Sequence, residues 1–329
     1  AWRFSICWPA PVAPPRGADV EAILIKNGRV IDPARDIDEE IDVRLADGKV
    51  ESTGRGLEAG DARVIDATGK IVAPGFIDMH VHLRQPGRED CETIATGTRS
   101  AAAGGFTAVA AMPNTSPVND ERAVTEYILR EAASKGAVRV YPIGCVTRGM
   151  RGEELAEIGD LVAAGCVAVS DDGKPVASAQ VMRRALEYCS TFGIPVIDHC
   201  EEPTLAAGAV MNEGVVSTAL GLRGMPAEAE ELMVERDVRL ARLTGGRVHI
   251  AHISTRRSVD SVRRAKQAGV DVTAEVTPHH LLITDETVRT YDTNFRMNPP
   301  LRTEDDVAAC VEGLVDGTLD VVATDHAPH

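Results

Sequence analysis

Gly75-Phe76-Ile77-Asp78-Met79-His80-Val81-His82-Leu83-Arg84 reads as an apolar strand ending in two histidines spaced by one residue, with an arginine two further on. In extended backbone, residues i, i+2 and i+4 share one face. His80, His82 and Arg84 would then point the same way, bringing two imidazole nitrogens and a fixed cation to one spot. Such a group begins a metal site for an anionic substrate. Two histidines cannot complete it, because catalytic zinc takes three protein ligands and keeps a further position open. The rest of the chain has to supply carboxylates, more histidines and a scaffold.

From Phe76 onward the pattern alternates strand and helix. Strands are predicted at 76–82, 106–111, 138–145, 166–170, 194–199, 247–252, 271–276 and 318–323. Helices are predicted between them, at 91–103, 120–135, 153–164, 178–192, 227–244, 256–268 and 303–316. The strands are short, rich in Val, Ile and Ala, and not alternating, as expected where both faces are buried in a parallel sheet. Eight strands with seven intervening helices fit an α/β fold of the (β/α)8 TIM-barrel type, with a doubly wound open sheet as the alternative.

The polar residues favour the barrel, because they follow the strands. All nine histidines sit at or just after the ends of five predicted strands. Ser170-Asp171-Asp172-Gly173 and Thr324-Asp325-His326-Ala327-Pro328-His329 add carboxylates at two strand ends. In a barrel these ends open on one face, where such enzymes keep their active sites. The supply suits one or two zinc ions: His80 and His82 for one, His199 and His252 for the other, Asp172 between them and Asp325 at the last strand. Strand phase leaves Asp171 against Asp172 undecided, and it sets His249 and His252 on opposite faces.

Before the barrel, residues 22–75 read as a small β module. Asn27-Gly28 and Asp47-Gly48 are two-residue turn signals, predicting hairpins over 22–33 and 41–51. Short strands follow at Val64-Ile65-Asp66 and Lys70-Ile71-Val72. Residues 1–21, broken by Pro9, Pro11, Pro14 and Pro15, read as a disordered leader rather than a signal peptide. No segment reaches the ~18 apolar residues of a membrane span.

The formal charge of −15 argues against nucleic-acid or anionic-membrane partners, which call for basic surfaces. Seven cysteines without a CxxC pair suggest reduced thiols and a cytoplasmic protein; only Cys200, beside His199, invites a check as a ligand.

The opening stretch continued through Gln85-Pro86-Gly87 resembles the signature of the long bacterial (class I) dihydroorotases, within the amidohydrolase superfamily. Met112-Pro113-Asn114-Thr115, Ser170-Asp171-Asp172-Gly173, His199-Cys200-Glu201, His252-Ile253-Ser254, Asn298-Pro299-Pro300-Leu301-Arg302 and Thr324–His329 follow in the family's order. The resemblance covers roughly residues 22–329. It implies a (β/α)8 barrel with a small β-sandwich built from both chain ends. It also implies zinc, and the reversible cyclisation of N-carbamoyl-L-aspartate to dihydroorotate in pyrimidine synthesis. Carried over by motif, His80, His82 and Asp325 hold the first metal, and His199 and His252 hold the second. Asp172 takes the bridging place that a carboxylated lysine fills in many relatives, and Asp325 is the general base and acid. Arg84, Asn114 and His329 match residues that grip the substrate carboxylate, and Asn298 matches one that contacts the ring. Aspartate transcarbamoylase and a second copy of the chain are the macromolecular partners this resemblance brings into view.

Two departures stand out. Lys174 competes with Asp172 as the bridge, though it lies beyond the Gly173 turn. Family members also continue past the point where this chain ends, through an eighth helix and the strands that complete the sandwich, so the stretch reads as a fragment, expected to be poorly soluble or inactive alone. The rival readings are another cyclic amidohydrolase, such as an allantoinase or hydantoinase, and a non-catalytic dihydroorotase-like scaffold for aspartate transcarbamoylase. Arg84 with Asn114 and His329 speaks against the first, and the full ligand set against the second.

Overall fold

Strand β1 (Ile23–Asp32) runs through Asn27-Gly28, the dipeptide at which the sequence predicts a hairpin turn. The computed structural model describes residues 21–329, so the expected leader lies, apart from Glu21, outside the described residues. Asn27 takes a left-handed φ of 62°, but the chain continues as a bulge in its pairing with β2 (Ile37–Ala46). Asp42 stabilises the bulge by accepting from the Asn27 N–H at 3.0 Å. Gly28 is required there, because a Cβ would lie 2.5 Å from Val72 Cγ2. The first hairpin therefore turns later, over 33–36. The second turns at Asp47-Gly48, as expected, into β3 (Lys49–Gly54).

The strands β4 (Arg63–Asp66) and β5 (Ile71–Val72) run parallel to β1, completing a five-stranded sheet in the order β3-β2-β1-β4, with β5 also on β1. Among the described residues this unit is one sheet, not the two layers of a sandwich. The chain divides into compact units between Phe76 and Ile77.

The second unit carries eight barrel strands. They are β6 (Phe76–Val81), β7 (Phe106–Ala111), β8 (Arg139–Pro142), β9 (Val169–Ser170), β10 (Val196–Asp198), β13 (Val248–Ile250), β14 (Val272–Val276) and β15 (Val321–Val322). Hydrogen bonding links β6-β7-β8 in one sheet and β9-β10-β13-β14-β15 in another. Parallel bridges close the two seams, Gly144 with Val169 and Val81 with His326. At the second, the His82 N–H donates to His326 O at 2.8 Å. The result is the closed ring of eight strands that the sequence predicts.

Helices α1 (Ile94–Ala103), α2 (Arg122–Lys135), α3 (Ile158–Ala164), α4 (Ala179–Ser190), α7 (Glu228–Thr244), α8 (Arg256–Gln267) and α10 (Glu304–Val315) alternate with these strands. Their starts follow from capping chemistry. Ser178 accepts from the Val181 N–H, and Thr303 forms a capping box with Asp306. The excursion between β10 and β13, unread in the sequence, holds α5 (Pro203–Ala206), α6 (Val215–Leu220) and the paired β11 (Met211–Asn212) and β12 (Gly224–Met225). A single turn, α9 (Pro278–Leu282), follows β14. Within the ring, Ala110, Met112, Ile143, Ala168, Ile197 and Ala251 pack as one buried cluster. Small side chains here leave the polar ends of the strands free to converge.

The seam beside the histidines is held by a buried carboxylate. Asp78 accepts from the Thr324 hydroxyl at 2.5 Å, from the Thr324 N–H at 3.2 Å and from the His80 N–H at 3.2 Å. Replacing Asp78 with alanine strands these donors, so the Asp78→Ala protein should lose about 1–3 kcal/mol of stability. Thermal unfolding, read as a lowered melting temperature, checks it.

Candidate metal centre

Asp172 sits just past β9 and is 3% exposed. Its two oxygens face opposite ways. Oδ2 lies 3.3 Å from His80 Nε2 and 3.4 Å from His82 Nε2. Oδ1 lies 3.4 Å from His252 Nε2 and 3.6 Å from His199 Nδ1. Asp325 closes the first group, with Oδ1 at 3.1 Å from His82 Nε2 and 3.4 Å from His80 Nε2. The six residues that the sequence nominates as ligands therefore converge.

Each ring is aimed by what holds its other nitrogen. A carboxylate or carbonyl oxygen can only accept, so a ring nitrogen against one carries the proton. His80 Nδ1 donates to Glu275 Oε1 at 2.6 Å, and His82 Nδ1 donates to Asn114 Oδ1 at 2.8 Å. In both rings Nε2 is the nitrogen that faces the carboxylates. His199 Nε2 lies 3.3 Å from Glu201 Oε2, leaving Nδ1 towards Asp172 and, at 3.0 Å, His252 Nε2.

The environment favours charge. Burial alone would lower the His80 imidazole, but the Asp172 and Glu275 charges hold it well above its usual range. Burial alone would raise Asp172, but the His80 charge and the nearby His199 and His252 rings hold it well below the carboxylate range. Burial also works against the His199 cation, yet Asp172 and Glu201 lift that group to about 10.

The donors fit a cation. His80 Nε2, Asp172 Oδ1 and His252 Nδ1 are buried polar atoms that make no hydrogen bond, and buried atoms of this kind call for a partner. His80, Asp172 and His252 can close on one ion, and so can His80, His82 and Asp325. Nitrogen and oxygen donors of this mixture suit a borderline ion. A third buried group, Asp198, Cys200 and Asp237, is already met by a cation, since Arg236 lies 3.2 Å from Asp198 and 2.7 Å from Asp237. Cys200 donates to Asp237 there and is not turned to the histidines.

The structure decides between neighbours that strand phase left open. Asp171 turns away, accepting from the Val146 and Thr147 N–H groups and from the Thr147 hydroxyl. Lys174 is exposed beyond the turn. His249 binds Thr273 Oγ1 and Glu275 Oε2. His280 donates to Pro299 O at 3.2 Å, bracing the loop that carries Asn298. His326 pairs with Glu92 at 2.6 Å.

The nominated substrate residues surround this group. Extended backbone ends at β6, so strand alternation does not place Arg84 as the sequence reading supposes. It takes a left-handed φ of 59°, and Nε donates to Pro328 O at 2.9 Å. Asn114 is committed through Oδ1 to His82, and Asn298 donates to Glu201 at 2.7 Å. Asn298, Glu201 and His329 line a cleft of about 540 Å³. A larger hollow of about 1120 Å³ along 204–226 is open surface and holds none of these residues. Sequence reasoning missed Glu275 and Glu201. Glu275 was detectable as the one charge inside the apolar strand Val272-Thr273-Ala274-Glu275-Val276.

Residues 69–258 match the family model described as Dihydro-orotase-like. A protein named dihydroorotase from Pelotomaculum thermopropionicum is 60% identical over 307 residues, covering 93% of this chain and 72% of its relative. The dihydroorotase of Syntrophotalea carbinolica is 57% identical at the same coverage. This chain belongs to the dihydroorotase family. Solved structures show the wider kinship of the family's barrel. An L-hydantoinase (dihydropyrimidinase) from Arthrobacter aurescens superposes with a TM-score of 0.81 at 25% identity, over 93% of this chain and 69% of that one. A dihydropyrimidinase from Brevibacillus agri superposes at 0.78 and 24% identity, over 94% and 69%, a likeness of fold.

The two aspartates should separate by experiment. Asp171→Asn leaves buried donors poorly met and should cost about 1–3 kcal/mol of stability with metal content retained. Asp172→Asn should lose bound metal instead. Melting curves paired with elemental analysis of each variant check the division.

Proposed function

We propose that this protein is a zinc-dependent dihydroorotase that interconverts N-carbamoyl-L-aspartate and dihydroorotate for pyrimidine synthesis. The observation that carries the reading is the divided carboxylate of Asp172, with one oxygen on the His80–His82 side and the other on the His199–His252 side. His80, His82 and Asp325 would hold one ion, His199 and His252 a second, and Asp172 would bridge. When bound, such ions lower the pKa of water towards neutrality and polarise a carbonyl oxygen.

The chain's own residues supply the rest. Arg84 presents a planar guanidinium, fixed through Nε, whose remaining N–H groups form a fork for the substrate carboxylate. Asn114 and His329 would complete that grip, and Asn298 would contact the ring. In the hydrolytic direction water adds to the ring amide carbon and the C–N bond breaks. Asp325 would accept the proton of the attacking water and deliver it to the departing nitrogen. Burial opposes its ionised form, but His80 and His82 hold the carboxyl below its usual range, so it is ready as a base. Cyclisation is the same path reversed, with the protonated Asp325 returning its proton to the leaving water.

Zinc is favoured by the imidazole and carboxylate donors. The six described cysteines, all free, agree with a cytoplasmic location, and no described helix is long and apolar enough to cross a membrane. Family kinship supports aspartate transcarbamoylase or a second copy as partner, and a sandwich of which the five-stranded sheet is one layer. The domain reading, a β module over 22–75 and a barrel over 76–329, belongs to the same proposal.

Dihydroorotate turnover, measured against allantoin and hydantoin, tests the assignment. Asp325→Asn should lower kcat by about 10²–10⁴-fold. Arg84→Met should raise KM for dihydroorotate and leave any hydantoin turnover unchanged. Equal activity on all three rings would refute the carboxylate reading.

Metal uptake should also release protons. A raised histidine pKa gives stability that is complete below the unfolded value of about 6.5 and fades as pH rises through the folded one, for His199 about 10. Between these limits the chelated protein carries a proton there that zinc must displace. Calorimetric titration with zinc at pH 8 in buffers of different ionisation enthalpy should show net proton release.

A further inference from the structure

Glu275 is the fourth of the five residues of β14, 1% exposed, between Ala274 and Val276, both fully buried. An isolated carboxylate in such a place is costly, and it persists only where donors converge on it. Three do so here. Oε1 accepts from His80 Nδ1 at 2.6 Å and from the backbone N–H of His252 at 3.2 Å. Oε2 lies 3.2 Å from His249 Nε2. His80 belongs to β6 and His252 follows β13, so one oxygen ties together residues from opposite sides of the β14–β15 pair.

The two contacts act on different halves of the centre. His80 faces Asp172 Oδ2, and His252 faces Asp172 Oδ1. The His252 backbone also takes a left-handed φ of 32°, a conformation a non-glycine residue holds only when its surroundings impose it. Asn114 provides the contrast, because it holds His82 and, among the described residues, makes no hydrogen bond to His199 or His252.

We propose that Glu275 is a positioning residue that couples the two metal subsites, setting the ring of His80 in one and the backbone of His252 in the other. This rests on the metal-centre reading above. Its carboxylate strengthens His80 as a donor and holds the Asp172–His252 spacing, so filling one subsite prepares the other.

Stepwise zinc affinities by chelator competition, with the visible spectrum of the cobalt-substituted protein, test this on the wild type, Glu275→Gln and Asn114→Ala. For Glu275→Gln both steps should weaken, each by about 10–100-fold, and both cobalt bands should shift. For Asn114→Ala only the first step should weaken. Circular dichroism of the metal-free proteins reports folding. If the glutamine variant does not fold, Glu275→Asp carries the test. It keeps the charge but is one methylene short of serving both contacts, so both steps should weaken by a smaller factor. Unchanged affinities, weakening at one step alone, or a wild type that takes only one ion overturn the coupling and leave the metal centre standing. A wild-type protein that binds no zinc overturns the metal reading itself.

Discussion

Four imidazoles converge on the Asp172 carboxylate, and much of the surrounding structure is arranged to keep them there. A buried carboxylate is unfavourable unless each polar atom is met. The rings are therefore held from behind: His80 by Glu275, His82 by Asn114 and His199 by Glu201. With their outer nitrogens engaged, the inner nitrogens have one direction in which to point. Three carboxylates, Asp172, Asp325 and Glu275, crowd this small volume, and dications would balance their charge.

The backbone contributes as much as the side chains. Arg84, His252 and Asp325 all adopt left-handed φ angles, which non-glycine residues take at a cost of order 1–3 kcal/mol each. All three lie where a strand runs out into a loop, and barrel closure holds them. The Val81–His326 bridge and the Asp78–Thr324 bonds set the start and end of the barrel side by side. Asp325 can then meet His80 and His82 although some 240 residues separate them, as its 243-residue offset from His82 shows.

A barrel of this kind serves several cyclic amides, as its likeness to hydantoinases shows, so the fold leaves the substrate open. The substrate choice we propose rests on the Arg84 cation, which follows His82 by two residues. Arg84 is nearly buried, and burial together with the nearby Arg88 disfavours its charge. A substrate carboxylate would relieve that cost, which is a physical reason for the site to prefer a charged ring.

The sequence by itself determined the rhythm of the barrel and nominated the candidate ligands of the centre. Short apolar strands with helical stretches between them are local patterns, and His80-x-His82 is a local arrangement. The seven predicted helices and eight strands accordingly recur with bounds shifted by a few residues. Tertiary structure decided what depends on contacts distant in sequence. Asn27-Gly28 became a bulge because β2 and β5 pair on both sides of it. Asp172 rather than Asp171 faced the histidines because the 146–147 backbone claimed Asp171. Glu275 became a partner of His80 only when the ring closed, since they stand 195 positions apart and no local pattern relates them.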